Sequence, residues 1–221
     1  MRATILVGSG RYQDRWHDFA ATGQATARAL ERLGIEARMR AFKPEGVAEI
    51  EQSDLLVVNS GNGAYSVASD GPESGWIDAF DHLRSYRARG GPILALHAAS
   101  NSLEGLPEWP EWIAGSWERG VSMHPPIGEA TVAVSPVPHP ITHEMEGFTL
   151  YDEMYSYLKT TPAARVLLTH RFEGTDHPLV WASESDGARA VYDALGHSPR
   201  AFDSEGRFDL FAREVGWLLR R

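Results

Sequence analysis

The sequence predicts a three-layer α/β fold with a mostly parallel central sheet. Short, continuously apolar segments alternate along the first half of the chain with longer segments whose apolar residues recur at helical spacing. Strands that are buried on both faces of a parallel sheet have such uninterrupted apolar sequences. The 221 residues contain no internal repeat and no linker-like stretch. We therefore expect one domain over residues 1–221.

The amino-terminal half alternates strands with helices. Residues 3–10 (ATILVGSG) form a predicted strand that runs into a glycine turn, and residues 18–34 form a predicted helix that ends at Gly34. The following elements are predicted as a strand at 35–42, a strand and its turn at 53–63, a helix at 74–91 and a strand at 92–97.

The carboxyl-terminal half has a different pattern. Residues 106–126 are rich in tryptophan and proline and are predicted to be irregular. Residues 178–197 indicate a hairpin about the turn Ser-Asp-Gly. Two further strands are predicted at 129–136 and 164–172, and an amphipathic helix at 207–221.

Composition excludes several classes of function. The chain has no cysteine, so disulfides, cysteine-ligated metals and thiolate nucleophiles are excluded. A formal net charge of −9 argues against a nucleic-acid partner, which needs a basic surface. No segment has the length and apolar character of a membrane span or a signal peptide, so we expect a cytoplasmic protein. A small homo-oligomer and a monomer remain equally compatible with the sequence.

Three strand ends carry polar or glycine-rich turns, at residues 8–19, 59–63 and 97–100. In a doubly wound sheet such turns lie along one edge and together form a binding site. The glycines of the first turn do not complete G-x-G-x-x-G, because Gln13 occupies the third glycine position. The sequence therefore predicts a pocket at this edge without favouring a dinucleotide.

Four segments, in this order, resemble the ThuA-like family, named for trehalose utilisation. They are residues 90–100 (GGPILALHAAS), 123–134 (MHPPIGEATVAV), 138–155 (PHPITHEMEGFTLYDEMY) and 178–202 (PLVWASESDGARAVYDALGHSPRAF). The resemblance covers nearly the whole chain. It implies a flavodoxin-like fold similar to the class I glutamine amidotransferases, and a role in the metabolism of trehalose or related disaccharides and keto-sugars.

The resemblance draws attention to the position of His97 in the fold. In the amidotransferases the turn after the corresponding strand holds a cysteine nucleophile, whereas this chain has His97 there and no cysteine. Amidotransfer through a thioester is therefore chemically excluded. The fold has been put to another use, which the fold itself does not define.

Four residues are the candidate catalytic groups: His97, Glu153, His197 and His124. Histidine and glutamate can exchange protons near neutral pH or bind a metal. Asp152 and Glu153 are adjacent, so only one of them should face the pocket, and the family pattern indicates Glu153. Each histidine could instead be a structural residue bonded to the backbone, and Glu153 could lie in a solvated acidic loop.

A second set of residues is predicted to bind the substrate. Backbone N–H groups at the glycine-rich turn could bind a sugar hydroxyl or an oxyanion, and aromatic rings could stack on a sugar. Helix N-cap packing explains Trp16 and His17 equally well, and His139 and His143 fit a turn. The predicted substrate-binding residues are Ser60, Gly61, Asn62, Trp117, Tyr155 and Trp16.

The sequence leaves the metal and the reaction open. The histidines at 97, 124 and 197 and Glu153 are suitable ligands for a divalent metal such as zinc, but they are not spaced as a metal-binding motif. One hypothesis is an enzyme of isomerase, lyase or hydrolase type that acts on a small sugar. The alternative is a non-catalytic sugar-binding or accessory protein.

Overall fold

A computed structural model describes residues 1–63, 70 and 72–221. The α-helices are α1 (Phe19–Arg32), α2 (Pro44–Ala48), α3 (Glu73–Ala88), α4 (Trp109–Trp112) and α5 (Glu205–Leu218). The strands are β1 (Arg2–Val7), β2 (Glu36–Ala41), β3 (Leu55–Asn59), β4 (Ile93–Leu96), β5 (Gly115–Ser116), β6 (Gly128–Val134), β7 (Phe148–Asp152), β8 (Lys159–Thr160), β9 (Arg165–Phe172), β10 (Thr175–Ser185) and β11 (Ala188–Asp193).

Nine of these strands form one sheet, in the order β2-β1-β3-β4-β11-β10-β9-β6-β7. The strands from β2 to β11 pair in parallel, and those from β11 to β7 pair antiparallel. The remaining two, β5 and β8, pair with each other. The predicted α/β class is confirmed, and the sheet is mixed. Its parallel part consists of β1 to β4 from the amino-terminal half, as the apolar pattern indicated, and β11 from the carboxyl-terminal half.

The apolar pattern explains the buried centre of the sheet. Every residue of β3 and of β4 is buried, as expected for strands covered on both faces. The first helix begins at an N-cap, Asp18, whose side chain accepts a hydrogen bond from the Ala21 N–H at 2.9 Å. It ends before Gly34, which has a φ of +73° that glycine adopts readily.

The predicted hairpin is formed by β10 and β11. Ser185 pairs with Ala188, and Asp186 and Gly187 make the turn with φ values of +52° and +76°. Two positive φ values are what a tight I′ turn requires, and Asp-Gly supplies them at low cost. This hairpin returns the chain so that β11 pairs in parallel with β4.

A fully buried charged group, made of Asp193, Arg207 and Glu214, joins α5 to the sheet. Arg207 Nη2 lies 2.6 Å from Asp193 Oδ2, and Arg207 Nη1 lies 4.0 Å from Glu214 Oε2. Burial raises the pKa of Glu214, and the nearby Asp193 carboxylate raises it further. Burial raises the pKa of Asp193 as well. By distance, Asp193 is the closer partner of Arg207.

The helices within residues 1–63, 70 and 72–221 are all too short or too polar to cross a bilayer. The single domain over 1–221 and the cytoplasmic location stay predictions.

Candidate functional site

The ends of four strands meet at one edge of the sheet. His17 lies in the loop after β1, His97 follows β4, Glu153 follows β7 and His197 follows β11. One donor atom from each of these four residues lies within 4.8 Å of the others. The three imidazole ring centres are 4.9–5.4 Å apart. We call these four residues the His/Glu cluster.

His97 is held in an unusual backbone conformation. Its φ is +45°, in the left-handed region that non-glycine residues seldom adopt. The Tyr192 hydroxyl donates to the His97 carbonyl at 2.8 Å, and the His97 Nδ1–H donates to the Ala194 carbonyl at 2.5 Å. These bonds fix the ring so that its other nitrogen, Nε2, points into the cluster, 3.4 Å from Glu153 Oε2.

His17 is oriented by a carboxylate. Its Nδ1 lies 2.7 Å from Asp14 Oδ2, and Asp14 Oδ1 also accepts the backbone N–H groups of Trp16 and His17, each at 2.9 Å. Burial lowers the pKa of His17 despite the neighbouring Asp14. The ring is therefore neutral at neutral pH, with Nε2 facing the cluster.

Of the adjacent acids Asp152 and Glu153, only Glu153 lines the cavity described below, and Asp152 is bonded to the backbone. The buried Asp152 carboxylate accepts the backbone N–H groups of Gly196 at 2.6 Å, His197 at 3.0 Å and Glu153 at 2.9 Å. It thereby joins the end of β7 to the turn after β11. Asp152 is a positioning residue that fixes two members of the cluster.

The Glu153 carboxylate contacts an imidazole with each oxygen. Oε2 lies 3.2 Å from His197 Nδ1, and Oε1 lies 3.1 Å from His124 Nδ1. Burial would raise the pKa of Glu153, but His197 and His97 outweigh it and hold the pKa below its usual value. The contact with Glu153 raises the pKa of His197. Glu153 is therefore an ionised carboxylate among imidazoles.

The His/Glu cluster fits a divalent metal ion. Considering the described residues, His97 Nε2 and His197 Nδ1 are buried without a hydrogen-bond partner of good geometry. Zinc held at about 2.0–2.2 Å in a tetrahedron separates its ligand atoms by about 3.3–3.6 Å, close to the 3.4 and 3.2 Å from these nitrogens to Glu153. Metal-binding histidines usually donate their other N–H to a carbonyl or carboxylate, as His97 and His17 do.

Three members of the cluster, His17, Glu153 and His197, line a cavity of about 440 Å³, within the range of small-ligand sites, and His97 lies outside that lining. Tyr155 is buried and stacks on His97 with ring centres 4.2 Å apart, and Trp117 packs edge-on against Tyr155 at 4.7 Å. The His124 side chain is 41% exposed and Trp16 is 70% exposed. The lining residues are Asp14, Trp16, His17, Asn62, Ala98, Asn101, Trp117, His124, Glu153, Tyr155 and His197.

The glycine-rich turn after β3 contributes less than the sequence predicted. Asn62 lines the cavity, and its Nδ2 is buried without a hydrogen-bond partner among the residues that the structure describes. Ser60 and Gly61 are not among the residues that line the cavity. The Ser60 hydroxyl bonds to the Ser102 hydroxyl at 2.9 Å, and the Gly61 N–H donates to the Tyr12 carbonyl at 2.9 Å. Both groups support the turn.

The loop after β1 contributes more to the site than its sequence indicated. Helix N-cap packing explained His17 equally well, and neither Asp14 nor Asn101 was a candidate from the sequence. An acid three residues before a histidine, directly after a predicted strand, was the available signal. His139, in contrast, caps a turn by accepting the Ile141 N–H at 3.2 Å, and His143 lies at the surface with 78% of its side chain exposed.

Comparison with known families agrees with this architecture. The family model for ThuA, described as trehalose utilisation, matches residues 5–218. The chain belongs to the ThuA family. A comparison with curated proteins finds no significant match for this ThuA-family chain.

Solved structures show the same fold at low sequence identity. A ThuA-like protein from Parabacteroides merdae has a TM-score of 0.78 at 17% identity, with 99% of this chain and 89% of that chain covered. A ThuA-like protein from Bacteroides uniformis has a TM-score of 0.72 at 16% identity, with 98% of this chain and 90% of that chain covered. A glutamine amidotransferase from Thermotoga maritima has a TM-score of 0.59 at 10% identity, with 100% of this chain and 98% of that chain covered. The fold similar to the amidotransferases is therefore confirmed.

We expect Asp152→Asn to weaken metal binding by about 10- to 100-fold, as loss of an outer-shell partner typically does. Asparagine has one acceptor oxygen where the carboxylate uses two, so the turn that carries His197 is released from the end of β7. Calorimetric titration with Zn²⁺ measures the change. Asp176→Asn, at an exposed ion pair with Arg171, is the control. Unchanged zinc affinity in Asp152→Asn would show that Asp152 does not position the cluster.

Proposed function

We propose that this ThuA-family chain is a metal-dependent enzyme that moves a proton on a carbonyl-containing sugar related to trehalose. Isomerisation and elimination of keto-sugars, and addition of water to the unsaturated keto-sugar that an elimination forms, all require this step. The observation that carries the proposal is the convergence of His17, His97, Glu153 and His197 beside a pocket that three of them line together with aromatic side chains. Membership of a family described as trehalose utilisation supports the choice of a sugar.

The His/Glu cluster is the proposed metal site. His17 and His97 use Nε2, His197 uses Nδ1, and Glu153 uses Oε2. When bound there, a divalent ion such as zinc would polarise a sugar oxygen and stabilise negative charge that develops on it. His97, which the sequence left as a base or a ligand, is on this proposal a ligand.

His124 is the proposed acid and base. Its Nδ1 faces Glu153 Oε1 at 3.1 Å, and the ionised carboxylate keeps a proton on that nitrogen. The other ring nitrogen, Nε2, then has a lone pair that can accept a proton from carbon next to a carbonyl. Because the side chain is partly exposed at the mouth, His124 can return that proton to the substrate or pass it to solvent.

Aromatic and amide groups of the pocket suit a sugar ring. The partly buried ring of Trp117 offers an apolar surface for the C–H groups of a sugar. Tyr155 also lines the cavity, but it is buried against His97 and Trp117 and supports them. The Asn62 amide lacks a hydrogen-bond partner among the described residues, so binding of a hydroxyl there would satisfy a buried donor. Trp16 provides a further ring at the outer rim.

The test is incubation of Zn²⁺-loaded protein in D₂O with trehalose, a glucoside and their 3-keto forms, followed by mass spectrometry. We expect deuterium uptake or a new product from a keto form, reduced about 10²- to 10⁴-fold in His124→Ala, which is the usual contribution of a general acid or base. His143→Ala, at an exposed histidine, should retain full activity. Saturable sugar binding without exchange or product would instead support the non-catalytic sugar-binding protein.

A further inference from the structure

A separate cavity lies towards the edge of the sheet opposite the His/Glu cluster. Its volume is about 500 Å³, within the range of about 300–1,000 Å³ that is usual for small-molecule sites. Glu184 in its wall pairs with Arg189 near the amino end of β11, whereas His197 follows the carboxyl end of that strand. The lining residues are His139, Pro162, Ala163, Ala164, Arg165, Ala182, Ser183, Glu184 and Trp217.

The charged groups around this cavity are mostly positive, although the chain carries a net charge of −9. The acid of the lining is Glu184, and its two oxygens lie 3.2 Å from Arg189 Nε and 3.0 Å from Arg220 Nη2. Arg165 also lines the cavity, and it has no ion-pair partner among the residues that the structure describes. Three guanidinium groups therefore stand against one carboxylate that is already paired. A guanidinium without a partner is well suited to bind a carboxylate or a phosphate.

His139 adds a neutral donor to the same cavity. Its Nδ1 accepts the Ile141 N–H at 3.2 Å, so the proton of the neutral ring is on Nε2. Burial lowers the pKa of His139, and the neighbouring Arg189 and Arg165 lower it further. The ring is therefore neutral at neutral pH, with Nε2–H available as a donor. The influence of both arginines on this ring indicates a positive potential within the cavity.

The apolar part of the lining consists of the Trp217 ring and the loop at residues 162–164. Trp217 lies edge-on to His139 with ring centres 5.0 Å apart, and the Arg189 guanidinium lies over the indole, 4.5 Å from its centre. Arg189 also donates to the Trp217 carbonyl at 2.6 Å, which helps to fix the tryptophan. The loop contributes only proline and alanine side chains, which leave room for an apolar group.

We propose that this cavity binds a small organic anion, whose carboxylate or phosphate accepts hydrogen bonds from Arg165 and His139 Nε2–H while its apolar part lies against Trp217. The proposal does not rest on the proposed function, because this cavity shares no lining residue with the cavity beside the His/Glu cluster. A ligand bound here is consequently separate from the proposed sugar substrate.

Titration of the zinc-free protein followed by NMR tests the proposal. Benzoate and phenyl phosphate are the anionic probes, and benzamide is a neutral probe of the same shape as benzoate. We expect at least one anion to shift the signals of the Trp217 indole N–H and the His139 ring. Benzamide should bind about tenfold more weakly than that anion, and Arg165→Ala should weaken the anion about tenfold or more, because hydrogen bonds to charged groups are the strong ones.

Arg171→Ala is the matched control. Arg171 lies on the same strand, β9, but forms an ion pair with Asp176 at 2.9 Å and does not line the cavity. Its replacement should leave the affinity for the anion unchanged. Tighter binding of benzoate or of phenyl phosphate supports the proposal in either case and identifies the preferred acidic group.

Three results would overturn the proposal. Benzamide that binds as tightly as both anions would show that the cavity does not recognise charge. Anion affinity that is unchanged in Arg165→Ala would place the binding elsewhere. Signals of Trp217 and His139 that stay unmoved at millimolar concentrations of either anion would show that the cavity is not a binding site. Because zinc and sugar are absent from these titrations, none of these results bears on the proposed function.

Discussion

His97→Ala is expected to weaken zinc binding by roughly 100-fold or more. Loss of an outer-shell partner alone typically costs 10- to 100-fold in metal affinity, and His97 is a proposed direct ligand whose Nε2 points at Glu153 Oε2 from 3.4 Å. The alanine removes the donor and leaves the other cluster residues in place. Calorimetric titration gives the affinity, and metal analysis after dialysis gives the bound zinc per chain.

Thermal unfolding provides an independent check of the same prediction. A ligand that binds only the folded protein stabilises it in proportion to the logarithm of its concentration over Kd. Zinc should therefore raise the Tm of the wild type and of His143→Ala, and should raise that of His97→Ala far less. Glu153→Gln should behave like His97→Ala, since the amide is a weaker ligand. If His97→Ala retained wild-type zinc affinity, the His/Glu cluster would not be the metal site.

Arg207→Met is expected to lower the free energy of unfolding by about 3–5 kcal/mol. The substitution leaves the Asp193 carboxylate buried without its 2.6 Å partner, and removal of one member of a buried ion pair typically has this cost. Methionine fills similar space, so loss of the charge and not of volume is measured. Urea unfolding followed by circular dichroism gives the difference.

Two comparisons identify the cause. Arg213 lies on the same helix and forms an exposed ion pair with Asp209 at 2.8 Å. We expect Arg213→Met to lower the free energy of unfolding by about 1 kcal/mol or less. Glu214→Gln changes the carboxyl that lies farther from Arg207, at 4.0 Å, so it should cost much less than Arg207→Met. A loss from Glu214→Gln as large as that from Arg207→Met would mean that Glu214, and not Asp193, is the main partner of Arg207.

The parallel part of the fold could be predicted from the sequence, because a strand that is buried on both faces has a continuous apolar sequence. Adjacent residues predict the two parallel strands at Leu55–Asn59 and Ile93–Leu96. In the same way, the Asp186–Gly187 turn predicts the antiparallel hairpin of β10 and β11. The strand Phe148–Asp152 was not predicted, because it pairs along only one edge, with β6, and its residues alternate between buried and exposed over only five positions. The short helix Pro44–Ala48 was missed for a similar reason, since five residues carry no helical period.

The candidate site could be predicted from the sequence only in part. His97 and His197 follow buried strands directly, so their place at the edge of the sheet follows from the strand pattern. Glu153 lies at the end of the strand farthest along the sheet from β1. It reaches the cluster because Asp152 bonds to the turn after β11. Ser60 and Gly61 were predicted to face a ligand, but their hydrogen bonds go to Ser102 and Tyr12, partners that the local sequence does not reveal.

The sequence by itself determined the α/β class, the position of His97 at the end of a central strand, and the exclusion of thioester chemistry, because each depends on residue identity or on a local pattern. The tertiary structure alone decided that His17, His97, Glu153 and His197 share one site. These residues lie on four separate segments without the spacing of a metal motif. Their donors meet because the carboxyl ends of parallel strands lie at one edge of the sheet and Asp152 holds β7 to the turn after β11.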